Sequence, residues 1–417
     1  MPAASPTLAT GLAAPGAIRA HFPALARHHR GTPVAYFDGP GGTQVPDAVG
    51  EAVVDYLYHH NANTHWRYPS SQETDAMIAE ARGAMADFLG GSAEEIAFGA
   101  NMTTLTFHLA RALGRGWGPG DEVVVTELDH HANVAPWRAL ERERGITIRM
   151  VPFIPESGQL DRSALDAALT SRTRLLAVGA ASNALGTISD VAEVVALARE
   201  AGALSFVDAV HYAPHHPVDV ARLGCDFLAC SAYKFYGPHI GVLYGRRERI
   251  AALDVPRLEP APDTVPDRVE TGTLNHEGIA GAAAAVEFLA SLAPGGSRRS
   301  RLQAAMGGLH RRGQELLRRI YEGLAEIPGV RLYGPLPEAP RTPTVAFTVE
   351  GLAAHDVSAR LADDALFVSS GDFYAAGVAA RYGLAREGLV RAGCACYTTA
   401  EEVDRLVASV ARLSRRA

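Results

Sequence analysis

Lys234 stands in the run Ser231-Ala232-Tyr233-Lys234-Phe235-Tyr236-Gly237-Pro238, directly after the apolar stretch Asp226-Phe227-Leu228-Ala229-Cys230. An amine is thereby set at the end of a strand, among hydroxyls, aromatic rings and a Gly-Pro turn. Upstream, a second apolar run, Ala203-Leu204-Ser205-Phe206-Val207, ends in Asp208. Two strand ends offer an amine and a carboxylate. Pyridoxal phosphate needs that pair: a lysine to hold its aldehyde as a Schiff base, and a carboxylate to keep its ring nitrogen protonated as an electron sink. Each residue also has a plainer reading, because lysines near strand ends are commonly solvated and an aspartate after a strand commonly caps a helix.

Other strand ends carry polar groups. Asn101-Met102-Thr103-Thr104 follows Glu95-Ile96-Ala97-Phe98 and opens an apolar helical stretch through Leu105, Phe107 and Leu109. Hydroxyls and amides at a helix start suit a phosphate, and they equally suit a simple cap. Asp129-His130-His131-Ala132-Asn133 places an imidazole after the run ending at Leu128, and Ser182-Asn183-Ala184-Leu185-Gly186-Thr187 follows the strand-like Leu175-Leu176-Ala177-Val178. Glu270-Thr271-Gly272-Thr273-Leu274-Asn275 adds a Gly-Thr loop.

The elements that must position these groups are legible as an alternation. Short β-rich runs at Val123-Val124-Val125, Ile146-Thr147-Ile148, Leu175 to Val178, Leu204 to Val207, Phe227-Leu228-Ala229 and Val242-Leu243-Tyr244 are separated by helical patterns. Helices are expected after Asp161 and Asp190 as caps. The pattern predicts an α/β fold with a mostly parallel sheet, whose ligands sit beyond the carboxyl ends of the strands. A breaker cluster, Leu292-Ala293-Pro294-Gly295-Gly296, precedes a helix bearing Leu309, Leu316, Leu317, Ile320 and Leu324. A large domain over 36–294 and a smaller α+β domain over 295–417 are therefore expected. Residues 1–35 form an N-terminal tail and a segment joining the small domain, with 1–18 read as disordered because they are rich in Ala and Pro.

With 417 residues, 47% of them hydrophobic, the chain can bury a large core. A net charge of -7 without a strong basic block argues against a nucleic-acid or membrane footprint. Cys225, Cys230, Cys394 and Cys396 fit neither a disulfide framework nor a Cys-x-x-Cys metal pattern, so no metal site is expected and the reducing cytoplasm is the expected home.

Taken in order, from Tyr36-Phe37-Asp38 to Glu401-Glu402-Val403-Asp404-Arg405-Leu406, these segments resemble the class V aminotransferase family of fold-type I pyridoxal-phosphate enzymes. That group includes cysteine desulfurases, selenocysteine lyases and kynureninases. The resemblance implies a seven-stranded, mostly parallel sheet in the large domain. It makes Lys234 the lysine that holds pyridoxal phosphate, Asp208 the partner of the pyridine nitrogen and His130 the ring stacked on the cofactor. Asn183 contacts the phenolic oxygen. Thr103, Thr104, Ser231, His211 and Tyr233 hold the phosphate, and Thr273 reaches over from the neighbouring subunit of a homodimer. Arg391, in Val390-Arg391-Ala392-Gly393, matches the arginine for the substrate's α-carboxylate, a task that suits a guanidinium fork.

Departures from the pattern bear on the reaction. Sulfur-mobilising members carry a histidine where this chain has Tyr233, and commonly a glutamine at the position of His211. Their persulfide cysteine falls in a loop matching Ser369-Ser370-Gly371-Asp372-Phe373-Tyr374, with Tyr374 in its place. The segment Asn61-Ala62-Asn63-Thr64-His65-Trp66-Arg67-Tyr68-Pro69-Ser70-Ser71 corresponds to the active-site mouth of related enzymes, so His65, Arg67 and Tyr374 join Asn183 and Arg391 as expected substrate contacts. The expected reaction is cleavage of the carbon–sulfur bond of an S-substituted cysteine, releasing thiol, pyruvate and ammonia. This is close in character to the desulfurase-like enzymes of lincosamide antibiotic assembly. The alternative is decarboxylation coupled to oxidative deamination of the same kind of conjugate, and transamination and epimerisation use the same machinery.

Overall fold

The computed structural model describes residues 11–415. Seven strands form the central sheet: β1 (Ile96–Gly99), β2 (Glu122–Thr126), β3 (Thr147–Val151), β4 (Thr173–Gly179), β5 (Leu204–Asp208), β6 (Phe227–Ser231) and β7 (Gly241–Gly245). Their order is β1-β7-β6-β5-β4-β2-β3, parallel except for β7, which runs antiparallel to both neighbours. Val124, Leu176, Val207 and Leu228 enter one apolar core, whereas Val123, Leu175, Phe206 and Phe227 enter another. Both faces are covered, which is why these strands read as unbroken apolar runs. The helices Arg162–Ala168 and Val191–Glu200 start where the caps were expected: the Asp161 carboxylate accepts from the Ala164 amide and that of Asp190 from the Glu193 amide.

A second, four-stranded antiparallel sheet comprises β8 (Val330–Tyr333), β9 (Thr344–Val349), β10 (Ser369–Gly371) and β11 (Leu389–Gly393), in the order β8-β9-β11-β10. Helices Arg298–Ala325 and Ala400–Ser414 pack on it through Leu317, Ile320, Val403 and Leu406. The latter helix opens with a capping box between Thr399 and Glu402.

The N-terminal segment departs from the disorder expected of it. Pro15–Arg19 is a short helix, and Leu12, Ile18 and Phe22 bury in the core, with Phe22 edge-on to Tyr236, Phe288 and Tyr397. Three apolar residues suffice to dock a segment whose overall composition is that of a linker. Residues 1–10 of the expected tail lie outside the described residues. Ala35–Tyr36 then pairs in parallel with Leu366–Phe367, carrying the chain past the small sheet. All four cysteines are free and buried. Among the described residues no helix is long and apolar enough to cross a membrane.

Candidate active site

The carboxyl edge of the central sheet gathers the polar residues. β5 ends at Asp208, and β6 ends at Ser231, which a tight turn, Ala232–Lys234, follows. Loops after β4 and β2 bring Asn183, Asp129 and His130. β1 leads into helix α1 (Met102–Gly114), which Asn101 caps. From the small sheet β11 presents Arg391, and a bridge between Asp38 and Gly393 draws Asp38 into the same gap.

Lys234 is only 7% exposed, and its Nζ donates to the Pro40 carbonyl. Burial, then the charge of Arg391, pulls its pKa down to about 7 against the opposing pull of Asp208 and Asp38. A buried amine that sheds its proton near neutrality is a nucleophile for an aldehyde. Asp208 accepts from the Val210 amide at 2.9 Å, and burial raises its pKa to about 6. Among the described residues it has no salt bridge, so a cationic ring nitrogen set against it would restore its charge. His130 accepts from the Ala132 amide at Nδ1, 3.0 Å away, which leaves the ring hydrogen on Nε2. Burial, then Lys234, pushes it down to about 4, so it is a neutral imidazole with a face free to stack. Behind it, burial and the neighbouring Asp208 keep the Asp129 carboxyl far above the usual carboxylate range. It takes hydrogen bonds from the Gly179 amide and Asn133 Nδ2. A β-carbon at residue 179 would lie 2.3 Å from Asp129 Oδ1, which explains the glycine.

Several buried polar atoms have no partner among the described residues: Asn183 Oδ1, His211 Nδ1, Arg391 Nε and Asp38 Oδ1. Each costs free energy unless a ligand satisfies it. They belong to one constellation, because Arg391 Nη1 donates to the Asn183 carbonyl at 2.9 Å and the Arg391 charge acts on Lys234, His211 and Asp38. These groups fit an anionic, heteroaromatic aldehyde with a protonated ring nitrogen. His211 is not among the residues lining the cleft at Thr103 and Thr104: its Nε2 meets the Thr342 and Thr344 hydroxyls at 3.0 and 3.1 Å.

Gly41, Gly42, Asn101, Thr103, Thr104, Tyr233 and His239 line a cleft of 860 Å³ at the start of α1. Ser231 Oγ accepts from the Met102 amide at 3.0 Å, stitching the end of β6 to the helix. Asn101 Oδ1 takes both the amide and the hydroxyl of Thr104, at 2.9 and 3.1 Å, while Thr103 is exposed at the mouth. The Tyr233 ring stacks on His239, with centroids 5.0 Å apart.

Other expected contacts lie farther out. His65 lines a 700 Å³ cavity with Trp66, Arg82, Glu270 and Thr273, and that cavity contains neither Lys234, Asp208 nor Arg391. Arg67 is exposed. Thr273 also lines a 310 Å³ cavity with Thr104, His108 and His239. Tyr374 is 72% exposed, and its ring lies 5.4 Å from that of His130. Sequence reasoning missed Asp129, Thr342, Thr344 and Phe373 as site residues, and named Asp38 only at the start of the segments that resemble the family. The one signal for Asp129 was its place directly before His130.

The sequence model of the family described as Aminotransferase class-V matches residues 35–406. Over 95% of its length the chain is 36% identical to a cysteine desulfurase of Pectobacterium atrosepticum, covering 97% of that protein. The apo structure of a cysteine desulfurase from Thermococcus onnurineus NA1 superposes with a TM-score of 0.87 at 32% identity, covering 97% of this chain and 98% of that one. The cysteine desulfurase CsdA of Escherichia coli, in an S-sulfonic acid form, does so at 0.84 and 29%, covering 97% and 99%.

Proposed function

Because the chain belongs to the class V aminotransferase family of fold-type I pyridoxal-phosphate enzymes, we propose that it is a desulfurase-like lyase that cleaves the carbon–sulfur bond of S-substituted cysteines. The balanced reaction converts the conjugate and water to a free thiol, pyruvate and ammonium. The observation that carries this reading is the state of the thiols. The chain has four cysteines, none lines the cleft beside Tyr233 at the start of α1, and all are buried. Burial pushes Cys225, Cys394 and Cys396 up to about 12 and Cys230 higher still. A thiol must ionise and be reached to take up sulfur. Sulfur therefore leaves on the substrate's own substituent.

Bound pyridoxal phosphate supplies the electron sink for charge developing at the substrate's α-carbon. Lys234 would hold it, and its Nζ, lowered to about 7 by burial, would be the base placed for the substrate's α-proton. Asp208 would keep the ring nitrogen charged, His130 would stack on the ring, and Asn183 would contact the phenolic oxygen. Thr103, Thr104, Ser231 and Tyr233 serve the phosphate end, with His211 closing the constellation from the Thr342 side. Arg391 takes the substrate carboxylate, and Tyr374 faces the outgoing group. The exposed apolar residues Val54, Leu57, Tyr58, Trp66, Tyr68 and Leu258 support a homodimer. In it Thr273 crosses to the neighbouring site, and His65 and Arg67, on the same flank, travel with it.

The test is incubation of holoenzyme with S-methyl-L-cysteine and an S-glycosylated cysteine, with products identified by mass spectrometry. Thiol, pyruvate and ammonium should form in equal amounts, with or without oxygen. Alanine together with a sulfur adduct on the protein would return the chain to the desulfurases. Carbon dioxide with an aldehyde still joined to sulfur would establish the decarboxylating reaction instead.

A further inference from the structure

Phe373 has no role in the reaction as set out above, yet it is fastened into the centre of the site. The Arg391 guanidinium carbon lies 4.1 Å from the centre of its ring, and Asn183 Nδ2 donates to its carbonyl at 2.9 Å. Phe373 and Tyr374 have φ of 57° and 58°, a left-handed backbone that bulky side chains seldom adopt. Further ties impose it: the Tyr374 amide donates to Asp372 Oδ1 at 2.9 Å, the Ala375 amide to the Asp372 carbonyl at 2.8 Å, and the His131 amide to the Tyr374 carbonyl at 2.7 Å. The segment is a set wall.

That wall sorts the donors of Arg391. One face of the guanidinium is covered by the ring. Nη1 is spent on the Asn183 carbonyl. Nε is buried without a partner, and Nη2 lies beside Gly41, where a β-carbon would come within 3.4 Å of it. Among the described residues the edge formed by Nε and Nη2 makes no hydrogen bond, so it is the edge left for a ligand.

We propose that Phe373 is a positioning residue for substrate recognition: by covering the face of Arg391 and fixing Asn183, it presents the Nε–Nη2 edge to the planar carboxylate of an α-amino acid. The two parallel N–H groups of that edge match the two oxygens of a carboxylate. A cation held over an aromatic face in a desolvated site also loses the freedom to turn away. The proposal rests on the reading that Arg391 takes the substrate carboxylate, and its test separates the two.

The probes are L-alanine and ethylamine, which differ by the carboxylate, with apparent affinity read from the change in the cofactor's visible absorption. Wild-type holoenzyme should prefer L-alanine. Phe373→Leu, which keeps an apolar side chain without the π face, should lose about tenfold of that preference while binding ethylamine as wild type does. Phe373→Tyr should restore it, and cofactor retention should be the same in all three. If Phe373→Leu keeps the full preference, or binds L-alanine more tightly, while Arg391→Ala loses the preference, the proposal is wrong and the carboxylate reading stands. Equal affinity of the wild type for the two amines would sink both.

Discussion

Lys234 is driven toward its neutral form by two separable causes, burial first and the Arg391 charge second. They give the residue a titration that can be watched. In cofactor-free protein, covalent capture of pyridoxal phosphate requires the unprotonated amine. Its rate should climb through pH 7 and level off about a unit above. A lysine at its ordinary 10.5 would instead go on gaining tenfold per pH unit well past that point. Stopped-flow absorbance across the neutral range reads the midpoint, and Arg391→Ala, by removing the second cause, should move it upward. Asp208 and Asp38 pull the other way, so neutralising either should lower it.

The helix proposed to receive the phosphate is placed by a contact no side chain makes. A β-carbon at Gly241, on β7, would sit 2.4 Å from the Asn101 backbone, so the start of α1 can rest on the sheet only if that carbon is missing. Gly241→Ala should cost about 1–3 kcal/mol of stability, the usual cost of overpacking, and speed cofactor loss; denaturant midpoints and dialysis rates measure the two. Elements such as β5, β6 and α1 were legible because apolar runs, caps and strand-end polar groups are local signals. The gathering of Lys234, Asp208, His130 and Asn183 at the carboxyl edge of the sheet was legible with them. The aromatic cover on Arg391 was not, because the left-handed backbone of Phe373 and Tyr374 is held by Asn183 and His131 from separate segments as well as by the adjacent Asp372. Nor were Thr342 and Thr344, which reach His211 from the other sheet. The docking of Leu12 and Ile18 was hidden for the opposite reason: average composition conceals a few well-placed apolar residues.

Across the whole molecule, the segment after β5 meets β9 and the helix Arg298–Ala325 through imidazoles that stay neutral. The His211 and His215 rings are 5.2 Å apart, and those of His216 and His310 are 4.1 Å apart. Burial holds His215 to about 3 and His216 to about 4, with His211 well below its ordinary 6.5. Unfolded, these rings take a proton near 6.5; folded, they refuse it until far lower. Their contribution to stability is therefore complete above pH 6.5 and is lost as pH falls from there toward about 3, at about 1.4 kcal/mol per pH unit for each ring still neutral. Asp129 and Asp208, whose folded pKa values are raised, oppose the trend. His215→Gln should remove about one proton from the acid slope of the denaturant midpoint. The four buried thiols carry a consequence of a different kind. Unreactive while the fold is closed, they act as two built-in clocks: Cys225 and Cys230 flank the start and lie within β6 of the central sheet, and Cys394 and Cys396 follow β11 of the small one. The order in which a thiol reagent marks the two pairs records which sheet opens first, with no foreign label in the chain.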